Sequence, residues 1–518
     1  MIKNFKWLFL VSLTFMACND DDTAAVTEEP VSPGTANFSK YVALGDSFAA
    51  GYSDNALFKL AQETSYPSIL ATQFSAAGGG VFTVPYMVDN IGGFSSGGAQ
   101  VPGFGTRLYF GKAQGSEVDE PLSVAGVSGT DISSKLTGTF SNLGVPGAKC
   151  IHLVMPGYAN YNPYFKRFAS DVPTTVMADA LTQNPTFFSL WIGGNDVLGY
   201  ALAGGDATIN PLTPSAGPIG VGFDASYNEL INNLTANGRK GVIANLPYIT
   251  SLPQFTYLKP SLVDPYKYYV DGDEKKVSPK VSIYDVGTIN QINSILNFLD
   301  QVLTNLGEEN RINALSTTQK NPVLIKDETL TNYGTEIRAA ALASGDTQLM
   351  ALANYLGATF GNVRQTKTGD LIPLLTSGVI GTNASVPNGV PLDFAKYGIT
   401  YPLEDKHVLI PTEVDEIIAA TDAYNATIKQ ASVSKDLAFL DAKVLMEKLL
   451  TVGVSDSGYA LTADFVLGGA FSLDGIHPSP RGYALIANQF AKVINEKYGS
   501  TLKNVNIGTY RILFPKAL

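Results

Sequence analysis

Residues suited to nucleophilic catalysis occur at two widely separated points of the sequence. Ser47 directly follows the apolar run "YVALGD", and Asp474 and His477 stand three residues apart in "SLDGIHPSP" near the other end of the chain. A serine hydroxyl is a weak nucleophile at neutral pH, so it attacks a carbonyl carbon when a neighbouring base takes its proton. A histidine oriented by a carboxylate is such a base. The three residues therefore favour acyl-transfer chemistry, provided that the fold brings Ser47 and His477 together.

The choice of base is narrow, because the 518-residue chain contains three histidines. His152 in "KCIHLV" and His407 in "LEDKHVL" have surroundings typical of structural histidines. A short loop with the spacing of Asp474 and His477 lets the carboxylate hold one ring nitrogen while the other faces Ser47. The pair has an alternative interpretation as a turn whose carboxylate binds backbone amides.

A second serine also matches a catalytic pattern. The stretch "GFSSG", residues 93–97, has the form G-x-S-x-G around Ser95, and that motif normally places a nucleophile on a turn between a strand and a helix. No helical pattern follows it, because the surrounding "YMVDNIGGFSSGGAQVPGFG" is typical of a glycine-rich loop. Ser95 is therefore the weaker candidate.

The elements that position these residues follow from alternating strand and helix patterns. Short apolar runs predict strands at 40–47, 186–196, 241–247 and 437–443. Helical periodicity predicts helices at 56–74 with a break near Pro67, and at 224–238, 288–306, 334–355, 414–431 and 481–499. The predicted fold class is α/β, a three-layer α/β/α doubly wound (flavodoxin-like) parallel sheet with large insertions. Ser47 then lies at the carboxyl edge of the sheet, where such folds bind ligands.

Four sequence blocks carry a more specific signal. The blocks "ALGDSFAAGY" (43–52), "NLGVPGAK" (142–149), "IGGNDVLGY" (192–200) and "DGIHPSPRGYALIA" (474–487) resemble, in the same order, the four signature blocks of the SGNH, or GDSL-type, serine hydrolase family. The blocks frame nearly the whole chain after its amino-terminal segment. The resemblance does not cover two segments, about 75–125 and 255–405, which we interpret as insertions over the carboxyl edge of the sheet.

The resemblance implies a role for five residues. Ser47 matches the nucleophile of the family, His477 its general base and later acid, and Asp474 the residue that orients His477. The implied oxyanion hole consists of the Ser47 backbone N–H, the Gly147 backbone N–H and the side-chain amide of Asn195. Such a site hydrolyses carboxylic esters without a cofactor or a metal, and related enzymes act on lipid, small acyl or carbohydrate acetyl esters.

Some of these positions have simpler interpretations. Gly147 is also typical of a turn glycine with a positive φ angle, and Gly129 in "GVSGT" is an alternative for the same oxyanion position. Asn195 follows a predicted strand, where asparagine often caps a helix. Asp46 and Asp196 are expected to form structural hydrogen bonds rather than to transfer protons.

The amino terminus predicts export and lipidation. Lys3 and Lys6 precede an apolar run at 7–17 that is too short to span a bilayer. The run ends in "FMAC", which resembles the lipobox of bacterial lipoproteins and makes Cys18 the lipidated residue. The expected organisation is a signal peptide at 1–17, a flexible tether at 18–38, the hydrolase domain at 39–500 and a carboxyl-terminal extension at 501–518. An uncleaved anchor and a simple secretory signal are the alternatives.

Charge and cysteine content restrict the partners. Removal of residues 1–17, which hold two lysines and no acid, changes the formal net charge from −11 to −13, and this argues against nucleic acid as a partner.

The lipid anchor makes the membrane a partner, and "CNDDD" resembles a signal that sends lipoproteins to the outer surface. We expect an outer-membrane lipoprotein of the bacterial cell envelope, surface-exposed or facing the periplasm. Cys150 is the one other cysteine and is expected to be a buried small residue.

The predicted function is a lipid-anchored serine esterase. The alternative is a non-catalytic surface lipoprotein that uses the hydrolase scaffold to bind glycans or lipids. The chain carries none of the usual metal or nucleotide motifs, so no cofactor is expected. The sequence leaves open the acyl group, the alcohol and the oligomeric state.

Overall fold

The computed structural model describes residues 30–116, 118–263, 284, 286–317 and 319–518. The predicted signal peptide, Cys18 and the first part of the predicted tether lie outside the described residues, as does part of the predicted insertion at 255–405. Within the part of the chain that is described, no helix combines the length and the apolar character needed to cross a membrane.

The core of the molecule is a sheet of five parallel strands. They are β1 (Tyr41–Gly45), β2 (Asn142–Gly144), β3 (Phe187–Trp191), β4 (Lys240–Ala244) and β5 (Ala438–Leu440), in the spatial order 2-1-3-4-5. Every residue of β1, β2 and β3 is buried, as expected for parallel strands covered on both faces. The predicted α/β class with a parallel sheet is therefore confirmed.

Helices flank this sheet, and three further helices, within 286–360, belong to the second insertion. In chain order they are α1 (Ser47–Ala50), α2 (Lys59–Glu63), α3 (Tyr66–Ser75), α4 (Cys150–Leu153), α5 (Pro163–Lys166), α6 (Val176–Thr182), α7 (Asn195–Leu202), α8 (Phe223–Leu234), α9 (Pro253–Thr256), α10 (Val286–Asn305), α11 (Gly334–Ala343), α12 (Thr347–Phe360), α13 (Pro411–Ser434), α14 (Ala442–Thr451) and α15 (Pro480–Tyr498). One group packs around α3 and α15, and another around α8 and α13. The apolar side chains of both groups join one large core.

The two predicted insertions carry short antiparallel pairs. Within 75–125 these are Ser95–Ser96 with Ala99–Gln100, and Leu108–Lys112 with Asp119–Ser123. Within 255–405 they are Ser261–Val263 with Asn321–Pro322, and Leu324–Lys326 with Val363–Gln365. A further pair, Val454–Asp456 with Tyr459–Leu461, precedes the closing helix. The second insertion forms its own apolar cluster together with α10, α11 and α12.

Several predicted boundaries differ from the structure for identifiable reasons. The strand predicted at 186–196 ends at Trp191, because the chain turns at Gly193 with a φ of 125°. The helix predicted at 334–355 is two helices, since Gly345 has a positive φ and Asp346 caps α12. The break predicted near Pro67 is confirmed, because 56–74 contains the two helices α2 and α3. The break itself lies at 64–65, since Pro67 is in the first turn of α3, where a proline is tolerated.

Close backbone contacts fix the turn that carries Ser47. The strand β1 ends at Gly45 and α1 begins at Ser47, so the chain reverses over one residue. The Asn142 side-chain amide donates to the Ala49 carbonyl at 2.9 Å, which ties α1 to β2. A Cβ atom on Gly144 would collide with the backbone nitrogen of Ala50. The glycine therefore permits the close approach of β2 to α1.

This contact predicts the effect of a single methyl group. Gly144→Ala forces α1 away from β2, so we expect the free energy of unfolding to fall by about 1–3 kcal/mol, the usual cost of overpacking. Urea denaturation followed by circular dichroism measures the change. Gly105→Ala is the control, because a Cβ atom there meets nothing within 4 Å. Equal stability of the two variants would contradict this account of the turn.

Candidate active site

Ser47 is the first residue of α1 and lies at the carboxyl end of β1. The preceding Asp46 caps this helix, because its Oδ1 accepts the Phe48 N–H at 2.9 Å. Burial raises the pKa of Asp46 to about 6, although the Phe48 N–H and the nearby His477 both lower it. Ser47 itself is 6% exposed. Asp46 therefore shapes the turn, and the Ser47 hydroxyl is held in a nearly closed site.

A chain of hydrogen bonds joins Ser47 to His477 and Asp474. The His477 Nε2 atom lies 2.8 Å from Ser47 Oγ, and its Nδ1 atom lies 2.9 Å from Asp474 Oδ2. Because an ionised carboxylate can only accept, Nδ1 carries the proton and Nε2 has its lone pair free for the serine hydroxyl. The imidazole ring is also packed by Tyr52 at a centroid distance of 4.6 Å and Phe48 at 5.4 Å. The structure thus brings together the three residues predicted from the sequence.

Asp474 is held in its ionised form by its surroundings. Its Oδ1 accepts the backbone N–H groups of Ile476 at 2.9 Å and His477 at 2.8 Å, and its Oδ2 accepts the Asn55 N–H at 3.0 Å. The Ser472 hydroxyl donates to Oδ1 at 3.0 Å. Burial alone raises the pKa of Asp474, but the adjacent His477 and these N–H groups lower it to about 2. The carboxylate therefore remains an acceptor for the His477 ring at any working pH.

The predicted oxyanion residues lie on the loops beside Ser47. Gly147 has a φ of 79° in the loop after β2, and Asn195 is the first residue of α7, after β3. The Asn195 side-chain amide donates one hydrogen bond to Ala148 O at 3.0 Å, which leaves its second N–H unused. Among the described residues, the backbone N–H groups of Ser47 and Gly147 have no acceptor. Three potential donors, on α1 and on the loops after β2 and β3, therefore have no acceptor among the described residues.

Asp196 joins the two loops that carry these donors. Its side chain is fully buried, and Oδ2 accepts the Cys150 N–H at 2.8 Å. Together with the bond from Asn195 to Ala148, this contact fixes the loop after β3 against the loop after β2. Cys150 is a buried free thiol, and burial raises its pKa well above the usual value. It is a packed, un-ionised side chain.

The alternative candidates are placed elsewhere. The Gly129 N–H is already used, because it donates to the Asp89 carboxylate at 2.6 Å. Ser95 lies in a two-residue strand of a hairpin, and no helix follows it. His152 Nδ1 accepts the Lys149 N–H at 3.1 Å and its ring stacks on Tyr158, so it is structural. None of these residues contacts Ser47.

A group of three carboxylates occurs in another part of the molecule. The side-chain oxygens of Glu328, Asp405 and Glu413 lie within 4.8 Å of one another, a spacing at which they could hold a cation. Burial, together with repulsion among the three, raises the pKa of Asp405 and Glu413. Glu413 also accepts the Ile410 N–H at 2.8 Å at the start of α13. The group does not line the pocket beside Ser47.

A deep apolar pocket opens beside the serine. Its volume is about 920 Å³, including the part open to solvent, and its wall contains Ser47 and Asn195. The rest of the wall comes from α1, the end of β3, α7, the loop after β4, α14, the segment 470–478 and α15. The sequence did not identify this pocket, because its lining residues, such as Leu449 and Leu485, have the pattern of ordinary core-facing helix positions.

Asp54 is a further feature of the site that the sequence analysis did not identify. Its Oδ1 accepts the Leu473 N–H at 2.9 Å and its own N–H donates to Ser472 Oγ at 3.0 Å. It therefore joins the segment after Ser47 to the segment before His477. Within the described chain, its Oδ2 has no hydrogen-bond partner. A φ of 49° at Asp54 marks a tight turn, but nothing in the sequence indicates which segment it contacts.

Comparisons with protein-family models, with curated proteins and with solved structures find no match for this chain. Within the structure, the four sequence blocks contact one another in pairs. The first and fourth blocks meet through the bond between Ser47 and His477, and the second and third through the bond between Asn195 and Ala148. All four therefore contribute to one site at the carboxyl edge of the sheet.

The buried charge of Asp54 predicts a stability that depends on pH. Burial, reinforced by the Asp474 carboxylate, raises its pKa to about 7 against the opposing effects of the Leu473 N–H and Arg107. An aspartate in the unfolded chain titrates near pH 4, so the folded protein holds the Asp54 proton more tightly than the unfolded chain does. The stability gained from the protonated Asp54 carboxyl is therefore fully present below about pH 4 and is lost as the pH rises through about 7. Asp54→Asn cannot ionise, so we expect it to exceed the wild type in unfolding free energy at about pH 8, by roughly 1–4 kcal/mol.

Urea unfolding of both proteins at about pH 4 and about pH 8 measures this difference. Asparagine also tolerates the left-handed backbone conformation of this position, so the comparison isolates the charge. The two proteins should be nearly equal at the lower pH. A difference of the same size at both pH values would show that the charge of Asp54 is not its cause.

Proposed function

We propose that this protein is a serine esterase of the SGNH, or GDSL, type that hydrolyses carboxylic esters. The observation that carries the proposal is the distance of 2.8 Å between Ser47 Oγ and His477 Nε2, in a ring orientation fixed by Asp474.

We also propose the flavodoxin-like form of the α/β fold. The strand order 2-1-3-4-5 supports a flavodoxin-like, three-layer arrangement, because that order is the one such folds use.

The reaction follows from the geometry in two stages. In the first, His477 Nε2 takes the hydroxyl proton as Ser47 Oγ bonds to the ester carbonyl carbon, and the carbonyl oxygen becomes an oxyanion. The intermediate collapses when His477 returns the proton to the alcohol oxygen, which leaves an acyl ester on Ser47. In the second, water loses a proton to the same imidazole and attacks this ester. The carboxylic acid leaves and Ser47 regains its proton.

The oxyanion is stabilised by donors that are already in place. The N–H groups of Ser47 and Gly147 and the second N–H of Asn195 have no acceptor among the described residues, which supports them as the donors. Donors that need not reorient stabilise the developing charge most, because no solvent has to reorganise. Asp474, whose pKa is about 2, stabilises the imidazolium that forms between the two proton transfers.

The cellular context of the proposal depends on residues 1–29, which lie outside the described residues. Their sequence favours a lipoprotein anchored through Cys18 in the outer membrane of a bacterial cell envelope, facing outward or toward the periplasm. The net charge of −11 argues against nucleic acid as a partner. Substrate lipids or glycans at the membrane surface would then be within reach of the site.

Covalent labelling tests the nucleophile directly. A fluorophosphonate reacts with a serine whose hydroxyl is activated by a base, so the wild type should be labelled at Ser47 within the peptide containing "GDSF". Ser47→Ala should lose the label, and Ser95→Ala should keep it. Mass spectrometry of the digested protein identifies the modified peptide. An unlabelled wild type that still binds glycans or lipids would support the non-catalytic alternative, and label on Ser95 would overturn the assignment.

The oxyanion donor tests a different part of the mechanism. Removing the side-chain amide in Asn195→Ala should lower kcat by about 10²–10³, since this donor acts mainly in the transition state. The KM value for a short ester should change little. Steady-state kinetics with the exposed Asn388→Ala as control gives both parameters. A KM effect without a kcat effect would assign Asn195 to substrate binding instead.

A further inference from the structure

We propose that the pocket beside Ser47 binds the acyl chain of the substrate, so that the enzyme acts on esters of extended aliphatic acids. This inference rests on the proposed esterase function and selects one substrate class for it. The pocket is lined mainly by apolar side chains from several elements of the fold, which is typical of ligand-binding pockets. An apolar wall of that extent exceeds what an acetyl group needs.

The polar side chains of the wall are few, and apart from the reacting groups of Ser47 and Asn195 they form hydrogen bonds within the protein. Among the described residues, Asp46 is the one ionisable residue that lines the pocket, and its Oδ1 accepts the Phe48 N–H. The indole N–H of Trp191 donates to Asn245 O at 3.1 Å. Sugar rings need several hydrogen-bond partners, because an unpaired hydroxyl is costly to bury. The wall therefore suits a hydrocarbon chain and not a glycan.

Two helices give the pocket an elongated apolar wall. The helix α14 contributes Ala442, Leu445, Met446 and Leu449, which lie at i, i+3, i+4 and i+7 and so share one face. At 1.5 Å per residue, this stripe is about 10 Å long. The helix α15 contributes a second stripe that includes Leu485. An extended chain can lie along these stripes and bury its methylene groups.

The orientation of the ester decides which half of the substrate enters. The pocket wall includes Asn195, which faces the carbonyl oxygen in the proposed mechanism, but it does not include His477. The His477 ring must reach the alcohol oxygen to protonate it, so the alcohol lies on the side of the imidazole. The acyl chain is the part that points into the pocket.

The reaction balance is that of the proposed hydrolysis. The ester C–O bond breaks, the acyl carbon bonds to Ser47 Oγ, and the alcohol leaves with the proton from His477. Water then supplies the hydroxyl that releases the fatty acid, and its remaining proton returns through His477 to Ser47. No oxidant, reductant or further reactant takes part.

Two isomeric esters distinguish the acyl side from the alcohol side. Ethyl octanoate and octyl acetate have the same composition, but the long chain is on the acyl side in the first and on the alcohol side in the second. Burial of one methylene group contributes about 0.8 kcal/mol. Because 1.4 kcal/mol corresponds to a factor of ten, each buried methylene group should raise kcat/KM about fourfold. We expect ethyl octanoate to be preferred by at least about tenfold. A preference for octyl acetate would overturn the assignment.

Adjacent leucines on α14 provide matched variants. Leu449 lines the pocket and is 8% exposed, whereas Leu450 is 44% exposed and lies outside it. In the wild type, kcat/KM for p-nitrophenyl octanoate should exceed kcat/KM for p-nitrophenyl acetate by at least about 100-fold. Leu449→Trp should lower that ratio by about tenfold or more, because the larger ring shortens the pocket. Leu450→Trp should leave it within about twofold of the wild type.

A binding measurement keeps the test valid if Leu449→Trp does not fold. The Ser47→Ala protein should bind decanoic acid in isothermal titration calorimetry with a negative heat-capacity change, the mark of apolar burial. No binding, or equal kcat/KM for octanoate and acetate in an active wild type, would reject the acyl pocket and leave the esterase proposal standing. Absence of both fluorophosphonate labelling and ester turnover would instead reject the esterase function itself.

Discussion

The hydrogen bond between Ser47 and His477 is the interaction on which the rest of the site depends. It joins residues 430 positions apart in the sequence, so it exists only because β1 and the segment before α15 meet at one edge of the sheet. Several further hydrogen bonds hold these segments together. The Ser53 hydroxyl donates to Pro478 O at 3.2 Å, and the Tyr483 hydroxyl donates to Tyr52 O at 2.7 Å. The Leu473 N–H donates to the Asp54 carboxylate. Their number means that the serine and the imidazole are already aligned before a substrate binds.

The sequence predicted much of this arrangement because its signals were local. The strands β1, β3, β4 and β5 are apolar runs between turn residues, and α15 has strong helical periodicity with Gly499 at its end. The strand β2 was not predicted, since three residues at Asn142–Gly144 are too few to show a period. His477 could be named because the chain contains three histidines and this one follows Asp474 by three residues. Ser47 could be named because it follows a predicted strand, and the resemblance to known blocks added the roles of Gly147 and Asn195.

Other features could not be read from the sequence because they depend on distant contacts. The pocket is lined by residues of α14, α15 and several distant segments, and most of them would individually be taken for ordinary core residues. Asp54 contacts Leu473 and Ser472, more than four hundred positions away. The hydrogen bonds that the Asp46 carboxylate accepts from Phe48 N–H and that the Trp191 indole N–H donates to Asn245 O similarly emerge only from the folded geometry.

The most direct test of the central claim is a crystal structure of the wild type after reaction with an octyl-substituted fluorophosphonate. The account predicts a covalent bond between phosphorus and Ser47 Oγ, a phosphoryl oxygen within hydrogen-bonding distance of the Gly147 N–H and the Asn195 amide, and the octyl chain between α14 and α15. Phosphorus bound to another residue, or Ser47 modified with His477 turned away from it, would contradict the account.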